Sequence, residues 1–202
     1  MRVSIRATLV LSLLVAAVAA HADLTYSNID ATITFEDNSV SNLNVLQSGN
    51  SLTFTAGSDL MYVDNVSGPH TFATINISYD ATSNSDPINE LNLLFTGATG
   101  GNGAVDYNEQ VFDMSQVLLS SVSGTKSGDA AFIQSDDLTF EGQTAYHVEK
   151  TFILRLGPLP LGVPTTSFAS IGLIEQNAVP EPASMGALAI GALGLLARRR
   201  RK

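Results

Sequence analysis

The chain predicts an all-β fold, a single antiparallel β-sandwich that is jelly-roll-like, framed by an apolar segment at each end. Three observations carry this. Apolar residues recur with period two through the middle of the sequence, turn-forming clusters interrupt them every 8 to 15 residues, and no stretch between the termini holds a sustained helical stripe. The region between the terminal segments, about 155 residues, is long enough to enclose one sizeable core.

In chain order, Ala31, Ile33 and Phe35 alternate with Thr32 and Thr34, and Leu52, Phe54 and Ala56 with Thr53 and Thr55. Ala73, Ile75, Ile77 and Tyr79 alternate with Thr74, Asn76 and Ser78. Leu91, Leu93 and Phe95 follow, then Val117 with Leu119, and Leu138 with Phe140. Tyr146, Val148, Phe152, Leu154 and Leu156 share one face of a long strand, which puts the charged Lys150 on that apolar face. Ala169, Ile171 and Leu173 make the last strand. Gly, Asn, Asp, Ser and Pro gather between these runs, most densely at Ala81 to Pro87, Gly97 to Gly103, Ser123 to Asp129 and Gly157 to Pro164, and these clusters predict turns or long hairpin loops. Tyr107 to Leu119 carries Val111 and Met114 at helical spacing and is the one place where a short helix is expected. No fixed-period repeat occurs, which argues against a propeller or a β-helix.

Composition excludes several functions. With no Cys in 202 residues there is no disulfide, no thiolate metal site and no Cys nucleophile. From Asp23 to Val179 the basic residues are Lys126, Lys150 and Arg155 against eighteen acidic ones, a field that repels phosphate backbones, so no nucleic-acid partner is expected.

The N-terminus has the three parts of a secretory signal peptide. Arg2 and Arg6 supply the positive start, Leu9 to Ala20 an apolar run, and Ala20-His21-Ala22 the small-x-small cleavage pattern. Residues 1–22 are read as the signal, cleaved by signal peptidase between Ala22 and Asp23, and residues 23–178 as the exported sandwich. His21 leaves with the signal.

The C-terminus, residues 179–202, is also tripartite. Pro180-Glu181-Pro182 is followed by an apolar stretch, residues 183–197, and then by Arg198, Arg199, Arg200, Arg201 and Lys202. The prolines withhold backbone donors and hold their neighbours extended, so the segment is expected to be an accessible strip. Fifteen residues make roughly 23 Å of helix. That is short of a hydrocarbon core of about 30 Å, a gap that bilayer thinning and arginine snorkelling close. The five cations stay cytoplasmic, which leaves residues 23–182 outside. In this order the three parts resemble the PEP-CTERM sorting signal, also described as the ice-binding protein C-terminal domain, of exopolysaccharide-making Gram-negative bacteria. The resemblance implies recognition by a membrane-embedded exosortase that cuts near Pro180 to Pro182. It makes the chain a substrate of that machinery, anchored in the inner membrane before processing and at the cell surface or outside it afterwards, in the setting of exopolysaccharide and biofilm production. It covers the last two dozen residues and leaves the central domain without a family.

Within that central domain the sequence offers no catalytic constellation. His70 lies in the loop Gly68-Pro69-His70, and His147 on the outward face of its strand; no Gly-x-Ser-x-Gly elbow accompanies either. The glycine-rich Gly97 to Gly103 lacks the Lys-Ser/Thr of a phosphate cradle and reads as a hairpin loop. Carboxylates gather as Asp80 with Asp86, Asp106 with Glu109 and Asp113, and Asp136-Asp137 with Glu141. Loops of this kind are able to hold calcium, but the spacing is not that of an EF-hand, so no metal ligands and no cofactor are assigned. The leading expectation is a non-enzymatic surface or matrix protein. The alternative is a secreted carbohydrate-binding module, whose stacking platforms would be Tyr62, Tyr107 or Tyr146. A secreted glycosidase, needing two carboxylates in one cleft, comes third.

Overall fold

In the computed structural model the described residues are 24–56, 61–66, 70–84, 86–158 and 166–180. The segment expected as a signal, with Ala20, Ala22 and Asp23, and the tail from Glu181 and Pro182 through residues 183–197 to Arg198, Arg199, Arg200, Arg201 and Lys202, lie outside them.

Among the described residues twelve strands form, in chain order β1 (Leu24–Phe35), β2 (Val40–Asn42), β3 (Asn44–Ser48), β4 (Ser51–Thr55), β5 (Met61–Asp64), β6 (Phe72–Ser83), β7 (Ile88–Gly100), β8 (Gly103–Asp113), β9 (Leu118–Ser127), β10 (Ala130–Gln143), β11 (Ala145–Leu156) and β12 (Phe168–Pro180). They make two antiparallel sheets, ordered β2-β1-β6-β11-β8-β9 and β10-β7-β12-β4-β3, with β5 also paired to β12. The pairings nest: β8 with β9, β7 with β10, β6 with β11, and β4 and β5 with β12. One long antiparallel hairpin rolled over on itself produces this pattern, with successive rungs falling alternately in the two sheets.

The alternation that predicts the strands also predicts the core. Ile33, Phe54, Ile75, Tyr79, Leu91, Phe95, Val148, Phe152 and Leu154 are all buried between the sheets. Threonine, serine and asparagine occupy the outer positions, where β-branched and small polar side chains suit a pleated surface. Phe95 packs its ring edge-on against Phe152 and Tyr107, at centroid distances of 5.1 and 4.9 Å, which ties β7 of one sheet to β11 and β8 of the other.

Three local expectations are corrected. No helix occurs among the described residues. Tyr107 to Leu119 is the second half of β8, a turn, and the start of β9, and Asp113 builds that turn by accepting from the backbone N–H of Ser115 and Val117, each at 2.8 Å. Nor is Gly97 to Gly103 a long loop, because β7 runs to Gly100 and β8 begins at Gly103. A Cβ at Gly97 or Gly103 would overlap the backbone of Ser170 or Phe168, so these glycines let β12 pass at close range. Finally, Leu173 does not continue the inward row of Ala169 and Ile171. A bulge at Gly172 turns Leu173 partly outward and brings Ile174, Gln176 and Ala178 in.

Candidate functional site

β12 is a central strand, held by β7 on one edge and by β4 and β5 on the other. Its ladder with β7 continues through Ala178↔Leu91 and Val179↔Glu90 to Pro180↔Ile88. The Ala178 N–H donates to the Asn50 carbonyl at 3.1 Å, fixing the strand end to the β3–β4 turn as well. Pro180, which has no N–H to donate to the ladder, is the last described residue of the strand. Pro180, expected in an open strip, is therefore half-buried at the end of the strand.

Residues 178–202 are a PEP-CTERM protein-sorting motif. The motif thus begins inside the folded domain, its first residues, Ala178 to Pro180, being rungs of a core strand.

Four residues before Pro180, the same strand carries Gln176 into the sandwich, where it meets a buried charge pair. Lys150 of β11 lies directly across from Glu109 of β8, Nζ to Oε1 2.8 Å, with neither side chain exposed. The Lys150 ammonium also donates to Gln176 Oε1 across the gap between the sheets. Burial pushes Glu109 up and Lys150 down, each opposed by the partner's charge. The hydroxyls of Tyr79 and Tyr146, Glu109 Oε2 and Gln176 Nε2 are buried with no hydrogen-bond partner among the described residues. Tyr107 and Tyr146, expected as candidate sugar platforms, are core residues at 6% and 0% exposure. Tyr62 alone of the three is partly exposed, stacked on Phe168 at 6.2 Å.

The carboxylates predicted to cluster are dispersed. Asp106 points outward to Arg155, whose Nε donates to it at 2.5 Å, while Glu109 on the same strand points inward. Asp80 accepts from Asn28 Nδ2 at 2.7 Å and faces His147 Nδ1 at 2.6 Å. Asp137 accepts from Asn92 Nδ2 at 2.7 Å. Among the described residues no three His, Asp or Glu come together as a metal site. His147, expected to face solvent, does lie on the outer face, but Asp80 and Glu149 (Nε2 to Oε1 3.5 Å) flank it and leave its side chain 18% exposed. His70 stacks on Phe35 at 4.1 Å, a packing contact.

One open cleft, about 500 Å³, lies at the end of the sandwich away from Pro180, where the Gly101–Asn102 turn, the β9–β10 turn at Gly128 and the end of β11 meet. It is lined by Asn102, Thr125, Ser127, Arg155 and several glycines.

Among curated proteins none matches the chain. Solved structures that resemble it include the enzymatically active domain of tailspike protein 4 of bacteriophage CBA120 (13% identity, 79% of this chain and 20% of that one, TM-score 0.36). The chain thus spans about a fifth of that tailspike domain's length. Two others are TmCBM61 in complex with beta-1,4-galactotriose (12%, 75% and 88%, 0.37) and a structure of carbohydrate-binding modules from the beta-sandwich superfamily (10%, 81% and 58%, 0.32).

Proposed function

We propose that this chain is an exported, non-enzymatic surface or matrix protein, delivered to the outside of the inner membrane and released or transferred there by an exosortase-type enzyme. The observation that carries this reading is the PEP-CTERM sorting motif at residues 178–202, joined directly to the last strand of the domain. In this reading residues 1–22 are a signal peptide, removed between Ala22 and Asp23. Residues 183–197 form the transient membrane helix, and Arg198 to Lys202 hold its cytoplasmic end. In this reading the nested strand pairing makes the sandwich a jelly roll, whose side-chain-filled interior leaves recognition to its outer faces and end loops.

The test is the mass of the mature protein. Chains isolated from the producing cells should begin at Asp23 and lack Arg198 to Lys202, whereas a host without the processing enzyme should retain the tail in its inner membrane. Full-length chains ending at Lys202 on the native cell surface would defeat the processing reading. Intact residues 1–22 on a cytoplasmic protein would defeat export.

A second reading, a glycan-binding module, draws on the distal cleft, whose Asn102, Thr125 and Arg155 offer hydrogen-bonding groups at an open end of the domain. A pull-down with the producer's exopolysaccharide tests it. Retention that survives Tyr62→Ala but is lost in Arg155→Ala would favour the cleft, and no retention would leave the matrix reading alone.

A further inference from the structure

We infer that Lys150 and Gln176 close an intramolecular amide bond between the two sheets, with Glu109 carrying the protons and one ammonia leaving. The core thus holds a self-modification site that needs no reagent beyond its own side chains, whatever becomes of the tail.

The reacting groups are already in contact. Lys150 Nζ donates to Gln176 Oε1, so the amine rests on the carbonyl whose carbon, Cδ, it attacks. The same Nζ lies 2.8 Å from Glu109 Oε1, within reach of proton transfer. Lys150 and Gln176 are each 1% exposed and Glu109 0%. In the ladders Lys150 lies between Ile77 and Glu109, and Gln176 between Leu52 and Leu93. These apolar neighbours keep water from competing with the amine. Glu109 Oε2 and Gln176 Nε2 are buried with no hydrogen-bond partner among the described residues, which is costly if the ion pair and the amide are only structural. In the reaction both have a use: Glu109 is the acid and Nε2 the leaving nitrogen.

Burial disfavours both charges, pushing Lys150 down and Glu109 up against their mutual attraction. Passing one proton from Nζ to Glu109 gives a free amine beside a neutral acid. The Nζ lone pair adds to Cδ while Glu109 donates to the oxyanion forming at Oε1. Collapse breaks the Cδ–Nε2 bond, and Nε2 leaves as ammonia with a second Nζ proton relayed through Glu109. Of the three ammonium protons, one stays on the new amide, one departs in the ammonia and one remains on Glu109. Nothing is oxidised or reduced. A carboxamide is a sluggish acyl donor, and holding it against the amine supplies an effective concentration on the order of 10⁵–10⁸ M. The product core carries no charge at these three residues, so the desolvation cost of the ion pair is relieved.

Lys150 and Gln176 are 26 positions apart, on strands of opposite sheets. The bond therefore ties β11 to β12, the strand that runs into the sorting motif. A chain without Cys gains in this way the kind of constraint that a disulfide places on the unfolded state. Stability differences that turn on the ion pair are read on chains whose bond is still open.

Tryptic mapping of the full-length chain, purified folded and then denatured, tests this. Trypsin should cut after Lys126 and Arg155 but not after Lys150. The peptide from Ser127 to Arg155 should stay joined to the one that begins at Leu156, the pair lighter than their sum by one ammonia. Fragmentation should place the link at Lys150 and Gln176. Gln176→Met removes the acyl carbon but keeps the ion pair, and should restore cleavage after Lys150. Glu109→Gln should slow closure about a hundredfold or more in chains followed from synthesis, and Glu109→Asp should recover part of that rate. Folded wild-type chains that are cut after Lys150, with residues 150 and 176 in separate peptides, would overturn the proposal without any variant having to fold. Ammonia lost elsewhere, as from Asn102–Gly103, counts with that result. A link from Lys150 to Glu109, lighter by one water, would overturn Gln176 as the acyl donor, and Glu109→Gln closing at the wild-type rate would overturn the role of Glu109.

Discussion

Lys150 and Glu109 oppose each other on adjacent antiparallel strands, 2.8 Å apart, with no solvent reaching either side chain. Two charges in an apolar core are costly to desolvate, and their attraction offsets that cost only when both are present. The pair joins β8 to β11 and, through Gln176, joins that sheet to β12 of the other.

The first prediction follows from that asymmetry. Lys150→Met leaves Glu109 buried without its counter-charge and should destabilise the domain by about 3–5 kcal/mol. Glu109→Leu alone should cost a similar amount. The double variant should lie between neutral and about 4 kcal/mol more stable than the wild type, because neither charge of the pair is then left buried without its partner. Urea denaturation of the domain gives all three values, and additive losses in the double variant would show that the pair is not coupled.

The five tyrosines give a second. Each titrates above its ordinary 10.0, with burial as the leading cause. Tyr107 is pushed up to about 12, helped by the Asp136 carboxylate, and Tyr79 and Tyr146 go well above the ordinary value. The unfolded chain releases these protons near pH 10 while the folded chain keeps them, so stability falls as pH rises past 10. Tyrosinate absorbance should therefore lag behind a free-tyrosine curve and then rise together with the loss of circular dichroism. A simple titration at pH 10 with the fold intact would contradict the burial of these rings.

Acid behaves in the opposite sense at the surface. Asp106 is held below its ordinary 3.8 chiefly by the hydrogen bond from Arg155, and Asp80 by those from Asn28 and then His147. Their contribution is complete above 3.8 and is lost as pH falls through the lowered folded values. Both pairs are partly exposed, so each is expected to supply only about 0.2–1 kcal/mol. Asp106→Asn should flatten the acid limb of the stability curve below pH 4 and leave its slope at neutral pH unchanged. Denaturant midpoints measured across that range check it.

Period two was enough to find the sandwich because its core is lined by rows such as Ile75, Ile77 and Tyr79, where one face is wholly apolar. The same rule places Lys150 on the inward face of β11 but names no partner. Glu109 is 41 positions away, and it lies on the stretch where Val111 and Met114 suggested a helix. Gln176 is inward only because the bulge at Gly172 shifts the phase of β12, and a bulge leaves no periodic signature ahead of it. Glycine at 97, 100, 101 and 103 reads as loop chemistry, yet three of the four lie in strands that β12 crosses at close range, a tertiary cause that local propensity does not carry. The tail was legible as a motif because it is a linear signal. Its docking into the sheet at Pro180 was not, because that depends on which strand is last and where the strand sits.

The last prediction concerns how the domain stands on the membrane before processing. Both ends of the described chain leave from one end of the sandwich. Leu24 pairs with Ser83, the Ser83 N–H donates to the Thr144 carbonyl at 2.8 Å, Gln143 pairs with Ile88, and Ile88 pairs with Pro180. From Pro180 to the first apolar residue of the tail, Ala183, three residue steps reach at most about 11 Å. With residues 183–197 as the membrane helix proposed above, an anchored chain must rest this end against the lipid. The open cleft is at the other end, since Phe168, the first residue of β12, pairs with Gly100, and the thirteen-residue strand spans about 40 Å. The absence of Cys makes the test clean, because one introduced thiol is the only label site. Thr144→Cys marks the membrane end and Ser127→Cys the cleft end, and both positions are exposed. With the uncleaved chain in vesicles carrying a headgroup quencher, a fluorophore at position 144 should be strongly quenched and one at 127 should not. Equal quenching at both would mean that the domain lies flat, with the cleft no longer held away from the membrane.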